Sequence, residues 1–135
     1  SNTIAAYAPV GSGLPGAKLD EVVGVVKAYS SCVGEGPFTC EWFGPEAEEL
    51  REAGDEYGAK TGRPRRVGPI DLVASRYGVR MQGATNIALT KLDVLSYMER
   101  IPVCAAYEVD GQITHEFPFP VLLDQAKPVT EYRPG

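Results

Sequence analysis

Apolar positions along this chain fall into a few runs whose periods separate strands from helices. Glu21 to Ser30, EVVGVVKAYS, is a β-branched run with little polar interruption, which predicts a buried strand. The turn-rich VGEGPF after it predicts a loop at that strand's carboxyl end. PEAEELREAG, residues 45 to 54, puts Pro45 in a first helical turn, Glu46 and Glu48 at the positive end of the macrodipole, and Gly54 where a helix can stop. In Asp71 to Gln82, DLVASRYGVRMQ, Leu72, Ala74 or Ser75, and Val79 recur at helical spacing and Gly83 closes the pattern, although Gly78 weakens it. NIALT at 86 to 90 and IPVCAAYEV at 101 to 109 read as strands, and Asp110-Gly111 turns the second into QITHEF as a hairpin. Strands alternating with helices predict an α/β fold: a mixed, mainly parallel sheet with flanking helices and a carboxyl-terminal antiparallel hairpin. There is no internal repeat. The polar, Gly-rich start and the uncapped TEYRPG end predict a single partial domain over residues 1 to 135, an excised segment of something longer.

Composition narrows the classes. With 44% hydrophobic and 23% charged residues, the chain is an ordinary soluble domain or a piece of one. No apolar run can span a bilayer, and SNTIAAYAPVGSG has neither the basic n-region nor the apolar h-region of a signal peptide, so the expectation is a cytoplasmic protein without a membrane partner. Cys32, Cys40 and Cys104 are odd in number and form no CxxC pair, which predicts reduced, mostly buried thiols and no metal site. A formal net charge of -5 argues against a nucleic-acid partner, which needs a basic face.

Against that acidic background, YGAKTGRPRRVG at 57 to 68 concentrates four cations, Lys60, Arg63, Arg65 and Arg66, within seven positions. GAKT is not a Walker loop, because Ala59 separates Gly58 from Lys60 and a helix precedes it instead of a strand. What remains is a loop with Gly58 and Gly62 for unusual backbone angles, the Thr61 hydroxyl, and arginines stiffened by Pro64. Alternation puts Arg63 and Arg65 on one side, where two guanidinium forks can grip a small multiply charged anion. A solvated loop balancing the acidic helix before it fits the same residues.

The second candidate is ALTKLDVL, residues 88 to 95, which sets Thr-Lys-x-Asp directly after an apolar strand. At the carboxyl end of a strand in an α/β sheet, the Asp93 carboxylate can accept from both N1–H and the 2-amino group of guanine while the Lys91 stem covers the base. An ordinary strand end with a helix cap at Asp93 is the other reading of TKLD.

Taken together, GVVKAYSSCVGEGPF, EYGAKTGRPRRVG, IALTKLDVL and IPVCAAYEVDG, in this order and separation, resemble the adenylosuccinate synthetase family over essentially the whole chain. The combination is specific where each piece alone is weak. The resemblance implies part of a larger P-loop-like nucleotide-binding enzyme, a GTP-dependent ligase that joins IMP and L-aspartate with Mg2+, in the cytoplasm and as a homodimer. It implies that Lys91, Leu92 and Asp93 meet the guanine of GTP. Arg63 and Pro64 would meet aspartate and IMP, and Arg65 would sit between aspartate and the GTP phosphates. Ala59, Lys60, Thr61 and Gly62 would form the aspartate loop, and Val33 would line the IMP ribose site. The family's phosphate loop, catalytic Asp and His and magnesium contacts have no counterpart here, so no catalytic residue is expected in this segment, which alone would be inactive. A noncatalytic guanine-nucleotide module would share the TKxD device. Lys60 stands where the family commonly has a small or hydroxylated residue, Pro69 where many members have an aromatic one, and Cys32 where an arginine is common. His115, the only histidine, is expected on a strand surface.

Overall fold

In the computed structural model, which describes residues 2–135, the strands divide between two sheets. One is a parallel pair, β1 (Val23–Lys27) with β4 (Asn86–Thr90), in register from Val23 opposite Asn86 to Lys27 opposite Thr90. In the other, β2 (Tyr29–Cys32) runs antiparallel to β3 (Arg66–Asp71), which runs parallel to β5 (Arg100–Val109). Strand β5 also pairs antiparallel with β6 (Gln112–Thr114) and with β7 (Lys127–Pro134). Three helices, α1 (Ala8–Gly11), α2 (Pro45–Gly54) and α3 (Leu72–Gln82), and short 3-10 turns complete the order. The mixed α/β class and the hairpin at Asp110-Gly111 hold. The antiparallel share, three pairings to two, is larger than the sequence pattern predicts.

Three differences explain this balance, the first being that residues 66–71, read from the pattern as loop and helix start, form β3. The run expected as one buried strand is two strands, broken at Ala28, whose N–H still donates to Thr90 O at 2.9 Å before the chain crosses to β3. Within β1, Val23 and Val25 are exposed, Val25 by 72%, and Ile87 and Leu89 on β4 are exposed too. Parallel strands are normally covered on both faces. The strand β7, KPVTEYRP, lacks an apolar alternation and is almost entirely exposed; backbone pairing with the long β5 makes it a strand.

Local chemistry fixes the helices. Asp71 caps α3, its Oδ1 accepting from the N–H groups of Val73 and Ala74 at 3.0 Å each. Its Oδ2 accepts from the Tyr107 hydroxyl, and burial together with that bond pushes the Tyr107 phenol upward. Gly83 ends α3 in the left-handed region, at φ 62°. At the end of α2 that conformation belongs instead to Asp55, at φ 51°. Gly54 serves a different purpose: a Cβ there would stand 2.5 Å from the Tyr29 hydroxyl oxygen. The helix needs a glycine so that Tyr29 can pass beneath it.

One core joins Ala28, Tyr29, Ala47, Leu50, Val67 and Leu95, so α2 lies over β2, β3 and the 3-10 turn Asp93–Leu95. Val73, Cys40, Cys104 and Tyr107 build a second core under α3. The thiols of Cys40 and Cys104 are buried and Cys32 is partly so, all of them free. Pro69 sits buried opposite Tyr29 in the β2–β3 ladder, and its carbonyl accepts from Cys40 Sγ at 3.4 Å. His115 lies just beyond β6, its Nδ1 3.2 Å from Ala105 O.

Candidate functional site

The basic segment folds as a closed loop. Tyr57 and Pro64 form an antiparallel bridge, the Gly58 N–H donates to Arg63 O at 2.9 Å, and the Gly62 N–H donates to Gly58 O at 2.7 Å. Gly62 takes φ 63°, a left-handed turn that a β-carbon would strain. Ala59, Lys60, Thr61, Gly62, Arg63 and Pro64 are all exposed at the tip. Thr61 Oγ1 accepts weakly from the Arg63 N–H at 3.4 Å. The side chain of Arg63 makes no hydrogen bond or ion pair among the described residues.

Arg65 and Arg66 are placed quite differently. Arg65 Nη1 donates to Glu56 Oε2 at 3.0 Å. Glu56 is only 1% exposed, and its other oxygen accepts from Lys27 Nζ at 2.7 Å and from the Tyr29 hydroxyl at 2.6 Å. Lys27 also donates to Ser31 Oγ at 2.5 Å. Burial alone would raise the Glu56 carboxyl, but Lys27, Tyr29 and Arg65 outweigh it and hold it at about 2 against an ordinary 4.5. Burial pushes the Tyr29 phenol upward, and its bond to Glu56 adds to that. Arg66 forks onto Glu41, with Nε at 2.9 Å from both carboxylate oxygens and Nη2 at 2.5 Å from Oε2. Its Nη1 donates to the carbonyls of Gly34 and Gly36 at 3.0 and 2.9 Å. Arg66 therefore ties the VGEGPF loop, with the exposed Val33, to the base of the cationic loop.

A carboxyl group depressed in the folded state stabilises the fold above its ordinary value and loses that contribution as pH falls toward the depressed value. Glu56 should therefore contribute about 3 kcal/mol at neutral pH, lost progressively from about pH 5 to about pH 2. Denaturant unfolding of the chain at about pH 6 and about pH 3 tests this. The drop in Glu56→Gln should be smaller by most of that amount; equal drops in both proteins would show that Glu56 is not the titrating group.

The TKLD motif meets the same cluster. Thr90 ends β4 opposite Lys27, so Lys91, Leu92 and Asp93 follow directly at the carboxyl end of the parallel pair. Lys91 takes φ 57°, and its Nζ donates to Gly54 O at 2.9 Å, two residues before Glu56. Leu92 is exposed. Asp93 opens a 3-10 turn with no side-chain cap bond, so the helix-cap reading of this residue does not hold. Its carboxylate has no hydrogen-bond partner among the described residues.

The expected residues therefore gather in one region: the basic loop through Arg65 and Glu56, TKLD through Lys27 and Gly54, and Val33 through Arg66. Sequence reasoning missed Lys27, Tyr29, Glu41 and Glu56. A signal existed for two of them, because Lys27 interrupts an apolar run and Glu56 is the acid immediately before a cationic loop. Their pairing depends on contacts between distant segments. Among the described residues no three His, Cys, Asp or Glu side chains cluster as a metal site. No helix of the described residues is long and apolar enough to cross a membrane.

A mixed α/β scaffold that collects cations and an unpaired carboxylate at the carboxyl end of parallel strands is a common framework of nucleotide-binding enzymes. A sequence model of adenylosuccinate synthetase matches residues 1–135, and the chain belongs to that family. The adenylosuccinate synthetases of Enterococcus faecalis and Kineococcus radiotolerans are 46% and 49% identical to it over 136 residues, covering 100% of this chain and 32% of each relative. The chain thus spans about a third of the length of the curated relatives it matches. The solved structure of a fully ligated adenylosuccinate synthetase from Plasmodium falciparum superposes with a TM-score of 0.79 at 39% identity, over 87% of this chain and 29% of that one.

Proposed function

We propose that this chain is a single partial domain of a GTP-dependent ligase that joins IMP and L-aspartate to form adenylosuccinate. In this reading Lys91, Leu92 and Asp93 hold the guanine of GTP, with Asp93 accepting from the base edge. Residues Ala59 to Pro64 form the aspartate and IMP loop, Arg63 grips a carboxylate of aspartate, and Arg65 faces both aspartate and the GTP phosphates. Val33 lines the IMP ribose. Guanidinium groups aimed at the phosphates stabilise the charge that develops as the phosphoryl group moves to the IMP oxygen, which turns that oxygen into a leaving group. Mg2+ belongs to the same proposal, although no cluster of ligands for it lies among the described residues. A homodimer in the cytoplasm completes the reading.

The observation that supports it most is the contact chain Lys91–Gly54 and Lys27–Glu56–Arg65, which joins a guanine-reading motif to an anion-binding loop. The side chains proposed to touch ligand at the two ends, Arg63 and Asp93, have no internal partner to release first.

Arg63→Ala in a full-length synthetase carrying this segment tests the loop. Loss of one charge-assisted carboxylate contact, about 1.5–3 kcal/mol, should raise the KM for aspartate by roughly 10- to 100-fold while the KM for GTP changes little. An unchanged aspartate KM would remove the loop from the aspartate site. A protein that binds guanine nucleotides yet ignores aspartate and IMP would instead be a noncatalytic nucleotide module.

A further inference from the structure

Glu56 poses a question that the proposed roles leave open. Measured against apolar side chains of the same volume, and not against its own protonated form, a buried ion pair is a weak stability device, because removing two or three charges from water costs nearly as much as their attraction returns. Here one carboxylate serves two cations and a phenol, and the arginine it holds is the one proposed to lie between two ligands. Counting charges, Glu56 at -1 against Lys27 and Arg65 at +1 each leaves the group at +1. The pair therefore orders Arg65 without cancelling the charge offered to an anion.

The hold on Arg65 is unusually complete. Its N–H donates to Glu56 O at 2.9 Å, its carbonyl accepts from Arg51 Nε at 2.9 Å, and its Nη1 is fixed on Glu56. Arg65 Nε is buried and has no hydrogen-bond partner. Its side chain remains 34% exposed, which leaves part of the fork open to solvent. The backbone of Arg63, two residues earlier, is bonded within the loop, but its side chain has no such anchor among the described residues.

We infer that Glu56 is a positioning residue for the anion site: from inside the fold it sets the direction of the Arg65 guanidinium, and Lys27 holds the Glu56 carboxylate in place. This rests on the proposed role of Arg65. In that role Arg65 meets its ligand already oriented, so the ligand does not bear the entropy of ordering a long side chain. Arg63, in contrast, is ordered only when the ligand arrives.

The test is a double-mutant cycle in a full-length synthetase carrying this segment, using Glu56→Gln, Arg65→Ala and the pair. Glutamine keeps the shape and one acceptor but loses the charge that holds the fork. Glu56→Gln alone should raise the KM for aspartate about tenfold with kcat within about threefold, and should add less than about twofold once Arg65 is alanine. Glu56→Asp keeps the charge but withdraws it by one methylene, and should give an intermediate KM. It also guards against a glutamine variant that fails to fold. If Glu56→Gln lowers kcat alone, as a reduced fraction of folded enzyme would, or if the two effects multiply in the pair, the inference is overturned. If Arg65→Ala itself leaves aspartate and GTP kinetics unchanged, the proposed role of Arg65 fails, and the inference fails with it. If Arg65→Ala weakens aspartate use while Glu56→Gln does not, only the inference fails.

Discussion

Replacing Asp93 by asparagine in a full-length synthetase carrying this segment should shift nucleotide preference from guanine toward xanthine. Guanine presents two adjacent donors, N1–H and the 2-amino group, and a carboxylate accepts both. An asparagine amide keeps one acceptor and turns the other into a donor, so one bond survives and one becomes a donor facing a donor. Losing a charge-assisted pair costs about 3 kcal/mol or more, roughly a 100-fold fall in kcat/KM for GTP. Xanthine carries a carbonyl at that position, which the new amide donor satisfies, so XTP should become the better substrate. The geometry leaves Asp93 free for this role: it is exposed, and its carboxylate caps nothing. The nearby Lys91 is pinned to Gly54 O, which fixes the backbone that presents Asp93. Steady-state kinetics with GTP and XTP side by side decide the matter. An equal fall for both nucleotides would make Asp93 a structural residue and leave the guanine reading to Lys91 and Leu92 alone.

The second large effect concerns stability. Gly68→Ala should severely destabilise or unfold the chain, because a Cβ at Gly68 would stand 2.2 Å from Cys40 O and 3.0 Å from Cys40 C. Both neighbours are backbone, so no side chain can rotate away. Either β3 or the segment around Cys40 must move, and that segment is held by the Trp42 N–H donating to Val67 O at 2.9 Å. A loss of about 3 kcal/mol or more is expected. The strain would reach the site, since Glu41 beside Cys40 anchors Arg66 and through it the Val33 loop. Gly78→Ala is the matched control. Gly78 lies inside α3, and a methyl group added there would meet nothing within 4 Å. At that position alanine should stabilise the helix by about 0.5–1 kcal/mol. Thermal melts of both variants beside the parent give opposite signs if close backbone approach is what Gly68 provides. A Gly68→Ala melt within about 2 °C of the parent would show that β3 has slack.

The local elements were legible in the sequence to the residue where short-range chemistry decides them. Helix α2 spans the predicted 45 to 54 and β4 the predicted NIALT, while α3 closes at Gly83 as expected but starts at Leu72, one residue inside the predicted range, because Asp71 ends β3 and caps it. Proline at a first turn and a closing left-handed glycine act over a few residues, so sequence order alone fixes them. The motifs TKLD and GAKTGRPRRVG were likewise recognisable, because side-chain types at fixed spacing define them. What the tertiary structure decided was partnership. EVVGVVKAYS is a single apolar run by pattern, yet it splits at Ala28 because its two halves pair with different strands, β4 and β3. The polar β7 becomes a strand only because β5 offers it a ladder. Among three arginines in four positions, the sequence could not tell which is free and which is locked. Glu41 and Glu56, 25 and 9 residues away from their arginines, make that difference. Charge pairing acts through space at about 3 Å, and only the folded chain brings those carboxylates within that distance.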